Sequence, residues 1–332
     1  MIVVGCGGIA PAHLKPLVAD ARARIVGLCD PDRAAAQQLA DQFGIRPQIE
    51  TDIDRLLAHV EADAAVVLTP THLHFEHVQQ LRAAGLPVLC EKPLAETRER
   101  ILELVQDIQR GGPPVSIAYQ RRTWSTYRTI RREVLSGKYG PVRAVTSLAN
   151  ERWIQVYHST WRDDAQRNPG GFVGDAGSHK VDMLFYTTGL LPESVMAVSD
   201  RRGHQVDVVT NAIGTLTGNA QLTMVSVGDA NQWKEDLFVH CSEADFFVRD
   251  GKAYIGRNNV VEPIPNPEPD STPVNAFLDM LVDGHQNVAP VECAVLIWDF
   301  THGMLQAART GSVVRFNPSD FRPSQTQGSP HR

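Results

Sequence analysis

The chain has 332 residues, 42% of them hydrophobic and 21% charged, with a formal net charge of -6. These are globular proportions, and the length favours two domains over one core. The acidic balance gives no electrostatic reason to expect nucleic acid or an anionic membrane, and no apolar run approaches the roughly 20 residues a membrane helix needs, which leaves small molecules as the default partner.

Five cysteines, Cys6, Cys29, Cys90, Cys241 and Cys293, are scattered without a CxxC pair. That usage fits a reducing cytoplasm. "MIVVGCGG" begins a strand at once and leaves no room for a signal peptide, so a cytoplasmic location is expected.

Through residue 120, short apolar runs alternate with helical patterns. The runs "MIVVG", "ARIVGLCD", "DAAVVLTP", "LPVLCEKP" and "PVSIAYQ", with "RPQIE" as a weaker sixth, predict a doubly wound, six-stranded parallel sheet covered on both faces. Residues 121–316 read differently. A helix, "STYRTIRREVLSGKYG", leads to a strand, "PVRAVTSLAN", and then to closely spaced strands, "VDVVTNAIGTLTG", "AQLTMVSVG", "EDLFVHCS", "ADFFVRDG" and "KAYIG". Short connections predict an open, mainly antiparallel sheet in an α+β domain. "NNVVEPIPNPEPDSTP" is proline-rich and reads as a loop, two helices follow near Val274–Asp283 and Glu292–Arg309, and 317–332 reads as a disordered tail.

Gly5, Gly7 and Ala10 form GxGxxA between the first strand and the first helix. Gly5 permits the tight turn, Gly7 lets the backbone approach a pyrophosphate, and Ala10 allows close packing of helix on strand. Asp30 ends the second strand, where a carboxylate can hold a ribose diol and repel a 2'-phosphate. This favours NAD over NADP, although Arg33, just beyond, is placed to pair with such a phosphate.

"CEKPLA" puts Glu91, Lys92 and Pro93 at the carboxyl end of a strand, the ligand-binding edge of such sheets. A lysine there can stabilise charge developing on a substrate oxygen. In "GGFVGDAGSHKVDMLFYTTG", residues 170–189, Asp175 and His179 are four apart and would share a helical face. His179 can exchange a proton near neutral pH, with Asp175 orienting it or binding a neighbouring hydroxyl. Taken by themselves the two would more often be an ion pair, and Lys180 and Asp182 read as solvated or structural. His72, His74 and His77 lack a matched acidic or cysteine partner, so no metal site is expected.

The GxGxxA segment, "TPTHLH" at 69–74, "EKPLA" at 91–95 and "GGFVGDAGSHKVD" at 170–182, in this order, resemble the glucose-fructose oxidoreductase, inositol dehydrogenase and MocA-like family. The resemblance implies a catalytic group of Lys92, Asp175 and His179. It implies cofactor contacts from Gly5, Gly7, Gly8, Ile9, Ala10, Asp30, Arg33, Thr69, Pro70, His74, Glu91 and Lys92. "TWRDD" at 160–164 is similar to the tryptophan and arginine that sugar-handling members place at their substrate, which adds Trp161 and Arg162 to Lys92, Asp175 and His179 as substrate contacts. Trp153, Tyr157 and His158 stand nearby as further pocket candidates.

The activity implied is NAD(P)-dependent interconversion of alcohol and ketone on a sugar, inositol or related polyol, in a homodimer or homotetramer that uses the open sheet. Two alternatives stay open: a cofactor-sensing regulator without turnover, and a glycosidase that uses NAD for transient oxidation.

Overall fold

The computed structural model describes residues 1–249, 251–265 and 269–321. The first unit alternates strand and helix: β1 (Ile2–Val4), α1 (Ala10–Ala19), β2 (Gly27–Cys29), α2 (Arg33–Phe43), β3 (Gln48–Glu50), α3 (Ile53–His59), β4 (Ala65–Val67), α4 (His74–Ala83), β5 (Val88–Cys90), α5 (Arg98–Gln109) and β6 (Val115–Ile117). The strands pair in parallel in the order β3-β2-β1-β4-β5-β6. All but β3 are buried throughout, as a sheet covered on both faces requires. Asp32 and Asp52 accept backbone N–H bonds at the starts of α2 and α3.

The strand order reverses between β1 and β4, which opens a crevice at their carboxyl ends. Gly5 makes the turn there with φ of +97°, and a Cβ on it would stand 2.8 Å from the Leu68 carbonyl carbon and the Thr69 nitrogen. Both the backbone conformation and the contact exclude a side chain. Gly5→Ala is expected to cost about 1–3 kcal/mol of stability and to weaken dinucleotide binding; denaturant titration and a cofactor titration of the surviving folded protein check this.

The second unit runs α6 (Ser125–Leu135), β7 (Val142–Asn150), α7 (Trp153–Tyr157), α8 (Gly171–Gly174), α9 (Ser178–Thr188), β8 (Pro192–Asp200), β9 (Val209–Leu216), β10 (Ala220–Val227), β11 (Lys234–Cys241), β12 (Asp245–Arg249), β13 (Lys252–Arg257), β14 (Val260–Pro263), α10 (Pro273–Asp283), α11 (Glu292–Thr310) and β15 (Val314–Arg315). Its sheet has the order β14-β13-β12-β11-β7-β10-β9-β8-β15. The central pair β7 and β10 is parallel, so the sheet is mixed although most pairs are antiparallel. Helices α6, α9 and α11 pack on this unit, while Val198 and Ile213 remain 65% and 61% exposed.

Several expectations change. Val260–Pro263 lies in the segment read as a loop, yet it forms an exposed edge strand on β13, and an edge tolerates a proline whose missing N–H has no ladder partner to lose. Strand β8 was not expected; its polar positions hide the alternation. Pro318–Phe321 forms a 3-10 turn, so regular structure enters the segment read as a disordered tail, whose residues 322–332 lie outside the described residues. Helix α10 follows the second sheet in sequence but packs on α1, placing Val274, Phe277 and Leu278 in the core that includes Leu14 and Leu17.

Among the described residues no helix is long and apolar enough to cross a membrane.

Candidate active site

The crevice continues into the second unit as one cleft of about 2310 Å³ including its open mouth. At one end it is lined by Gly5, Gly7, Gly8, Ile9, Asp30, Thr69 and Pro70, and at the other by Glu91, Lys92, Trp161, Arg162, Asp175 and His179. The two residue sets inferred for cofactor and substrate therefore largely meet in one space.

The cofactor end fits a dinucleotide by its own geometry. A Cβ on Gly7 or Gly8 would meet nothing within 4 Å, so the backbone there is open to close approach, and α1 points its N-terminus at that opening. Asp30 Oδ2 accepts from the Cys6 N–H at 2.7 Å and Oδ1 from the Asp32 N–H at 2.9 Å, which fixes the carboxylate at the end of β2. Arg33 does not line the cleft; its guanidinium donates to the Ile49 carbonyl at 2.7 Å. Ala10 is buried at the start of α1, where it packs.

His74 also lies behind the cleft wall. Its Nδ1 and Nε2 each stand 2.7 Å from a carbonyl oxygen, of Pro93 and Thr69 respectively, tying the two lining segments together. Burial lowers its pKa against the pull of those carbonyls. His77 Nδ1 is 3.1 Å from Thr69 Oγ1, and no metal-binding cluster occurs among the described residues.

A second buried support escaped the sequence. His13 Nε2 is 2.7 Å from Glu91 Oε1, while Glu91 Oε2 accepts the Lys92 N–H at 3.0 Å. Burial raises the Glu91 pKa, but the His13 bond and charge, together with the Lys92 charge and backbone N–H, outweigh it and hold the carboxyl low. Glu91 thus anchors the strand end that carries Lys92 to α1. Nothing in a separation of 78 residues announces such a pair.

The 170–189 stretch is not one helix. Gly171 has φ of +54°, and a Cβ there would stand 2.3 Å from the Asp207 carbonyl oxygen. Helix α8 ends after one turn, Asp175 takes φ -90° and ψ -94°, and α9 starts at Ser178. The shared helical face expected for Asp175 and His179 is therefore absent, and a break in the chain turns Asp175 into the cleft.

Asp175 is buried, and its hydrogen bonds go elsewhere than His179. Oδ1 is 3.3 Å from Lys92 Nζ, while Oδ2 accepts from Trp153 Nε1 at 2.9 Å and Arg162 Nε at 2.8 Å. Burial pushes its pKa up, and Lys92 and Arg162 more than offset this, so the carboxyl is held below its usual range. The Arg162 guanidinium sits 4.4 Å from the Tyr157 ring centroid and 4.5 Å from that of Trp161. Trp153 and Tyr157 line the cleft as their position suggested, whereas His158 is exposed and pairs with Ser159.

His179 is 9% exposed, and its Nδ1 is buried with no hydrogen-bond partner among the described residues. The ring packs edge-on to Tyr119 with centroids 6.1 Å apart. Burial, then the charges of Lys92, Arg121 and Lys180, push its pKa well below the ordinary histidine value. The site therefore sets a neutral imidazole beside a lysine ammonium held by a carboxylate, an arrangement able to move a proton and to stabilise an anionic oxygen.

Residues 1–119 match the family model described as "Oxidoreductase family, NAD-binding Rossmann fold", and residues 127–246 match the "GFO/IDH/MocA C-terminal domain". Inositol 2-dehydrogenase of Burkholderia cenocepacia (strain HI2424) is 32% identical over 243 residues, covering 72% of this chain and 67% of that protein. Inositol 2-dehydrogenase of Rhizobium meliloti (strain 1021) is 28% identical over 197 residues, 59% of this chain, and the match spans only 57% of that protein's length. A solved aldose-aldose oxidoreductase from Caulobacter crescentus, complexed with glycerol, shares the fold with a TM-score of 0.83 over 95% of this chain and 98% of its own, at 20% identity.

Proposed function

Because the chain belongs to the GFO/IDH/MocA family of NAD-binding Rossmann-fold oxidoreductases, we propose that it interconverts alcohol and ketone on a sugar, inositol or related polyol, with NAD in preference to NADP. The observation that carries this reading is the convergence of Lys92, Asp175 and His179 on the cleft whose other end is built by Gly5, Gly7 and Asp30. The nicotinamide, when bound, supplies the hydride acceptor or donor.

The chain's own residues supply the rest. In oxidation, neutral His179 takes the hydroxyl proton, and in reduction it returns that proton to the oxygen. Lys92 places its ammonium at the substrate oxygen and lowers the energy of the charge that develops there. Asp175 acts through Lys92: with Trp153 and Arg162 fixing one of its oxygens, the other holds the ammonium in place. Trp161 and the aromatic-stacked Arg162 close the substrate end.

Asp30 and the engagement of Arg33 with Ile49 favour a cofactor lacking a 2'-phosphate. The same reading includes a homodimer or homotetramer, supported by the exposed Val198 and Ile213 on the large sheet, and a cytoplasmic setting, supported by five free thiols.

Equilibrium titration with NAD and NADP, followed by a polyol and keto-sugar panel read at the nicotinamide absorbance, tests the proposal. NAD is expected to bind at least about tenfold more tightly, some 1.4 kcal/mol, and at least one polyol to yield reduced cofactor. Binding of neither nucleotide would remove the cofactor assignment; binding without turnover on any panel member would favour a sensor.

A further inference from the structure

The cleft wall carries a carboxylate that hydride transfer does not use. Strand β7 buries alternate residues, Val145, Ser147 and Ala149, and Glu151 continues that face just past the strand's end. Its backbone is held on both sides: the N–H donates to the Val227 carbonyl at 2.9 Å, and the carbonyl accepts the Ala230 N–H at 3.0 Å. The side chain lines the cleft together with Trp153, Tyr157, Arg162, Asp175 and His179.

Glu151 is fastened from behind. Its Oε1 accepts from Lys180 Nζ at 2.6 Å, and Lys180 is fully buried. Lys180 Nζ also lies 3.3 Å from Glu235 Oε2, which accepts from Arg121 Nη2 at 2.7 Å, while Glu235 Oε1 accepts from the Tyr127 hydroxyl at 2.6 Å. Two cations thus stand against two carboxylates in one chain of contacts, and the cost of burying Lys180 is offset by partners on both sides. The remaining oxygen of Glu151 is different. Oε2 has no hydrogen-bond partner among the described residues and is not one of the buried polar atoms left without one, so on a side chain that is 20% exposed it opens to the cleft. A carboxylate with one oxygen locked by a buried ammonium presents the other in a fixed direction, as a selective acceptor must.

What Oε2 accepts follows from charge. A substrate ammonium would meet a carboxylate whose charge Lys180 already balances, and would share the cleft with Lys92 and Arg162. A substrate carboxylate or phosphate would set one anionic oxygen against another. A hydroxyl donates to Oε2 and brings no charge. Its place on the substrate follows from the helix. His179 and Lys180 are successive residues of α9 and project about 100° apart, so the carboxylate reached through Lys180 meets the substrate to one side of the oxygen that His179 serves. We propose, resting on the polyol reading above, that Glu151 determines specificity: its Oε2 accepts from a hydroxyl on a substrate carbon other than the one oxidised, and Lys180 is the positioning residue that aims it. The favoured substrate is then neutral and polyhydroxylated, with no anionic group at that carbon.

The test is calorimetric binding of D-glucose, myo-inositol and their monodeoxy forms to the full chain loaded with NADH, where no oxidation intervenes. At least one parent should bind about tenfold or more tightly than one of its deoxy forms, the worth of a hydrogen bond to a charged acceptor. Glu151→Gln keeps an oxygen for Lys180 and puts an amide that cannot accept where Oε2 stood, so that single preference should be lost while preferences for other hydroxyls persist. Lys180→Met, which removes the clamp and leaves Glu235 to Arg121 and Tyr127, should weaken the same preference and no other. A merely structural role for Glu151 would instead lower affinity for parents and deoxy forms alike. That uniform loss, equal affinity of the wild type for parents and deoxy forms, or the same preferences in Glu151→Gln as in the wild type overturns the assignment of Glu151 and leaves the polyol reading in place. Failure of every parent to bind a chain that holds NADH overturns the polyol reading and the role of Glu151 with it.

Discussion

Replacing His179 by alanine is expected to lower kcat for alcohol oxidation by about 10²- to 10⁴-fold, the usual contribution of a positioned acid or base, while NAD affinity stays at the wild-type level. The imidazole lines the cleft with a pKa pushed well below the ordinary value, first by burial and then by three nearby cations. At neutral pH it is therefore unprotonated and ready to accept a proton. Oxidation should be flat through neutrality and fall only in acid, as the ring protonates, and the variant should lose that acid limb. Reduction needs the protonated ring, so its rate should fall as pH rises. Turnover of His179→Ala at the wild-type rate would remove His179 from the mechanism.

The same shift makes a statement about stability. Between the lowered folded value and the unfolded value of about 6.5, the unfolded chain binds more protons, so stability present above about pH 6.5 is lost as pH falls toward the folded value. His74, His77 and His302 have pKa values lowered by burial as well and add to the loss in the same direction. His179→Ala should reduce this acid slope in urea titrations, and His179→Gln should reduce it equally.

The first unit was legible because its signals are local. Continuous apolar runs mark buried parallel strands, and GxGxxA followed by an aspartate after the next strand marks the crevice, all within 30 residues. What was illegible depends on chain pairs far apart. The parallel pairing of β7 and β10, the return of α10 to α1, and the His13 and Glu91 pair have no local signature. The spacing of Asp175 and His179 suggested a helical face, and the backbone break between α8 and α9 defeats that inference while still delivering both residues to the cleft. Gly174 and Gly177, on either side of Asp175 and Ala176, were the available signal for the break, because glycines inside a helical pattern favour a turn over a continuous helix. Trp153 stood out only as a pocket candidate; its bond to Asp175 belongs to tertiary structure.

Asp182→Ala is expected to destabilise the protein by about 3–5 kcal/mol, the cost of leaving one partner of a buried ion pair uncompensated. Asp182 is fully buried, and its two oxygens lie 2.9 and 3.0 Å from Arg122 Nε, with Oδ1 also 2.5 Å from Nη2. Burial raises the Asp182 pKa, with Arg122 opposing, while on Arg122 the carboxylate outweighs burial and holds the guanidinium charged. Without the carboxylate, that guanidinium keeps, among the described residues, the Val288 carbonyl and the faces of Tyr119 and Tyr186. Asp182→Asn, which retains an acceptor, should cost less, and the double variant Arg122→Met with Asp182→Leu should recover most of the loss because no charge is left buried. Denaturant midpoints of the three proteins decide this, and an Asp182→Ala midpoint equal to wild type would show that the pair contributes nothing. Neighbouring Lys180 is buried toward Glu151 and Glu235, and Lys180 and Arg121 hold the Glu235 carboxyl down at about 2 against the effect of burial. The polar residues of this stretch thus divide by direction. Those at 175 and 179 face the cleft, whereas those at 180 and 182 fasten α9 to the second unit, so Asp182→Ala should lower stability while the folded fraction keeps its turnover.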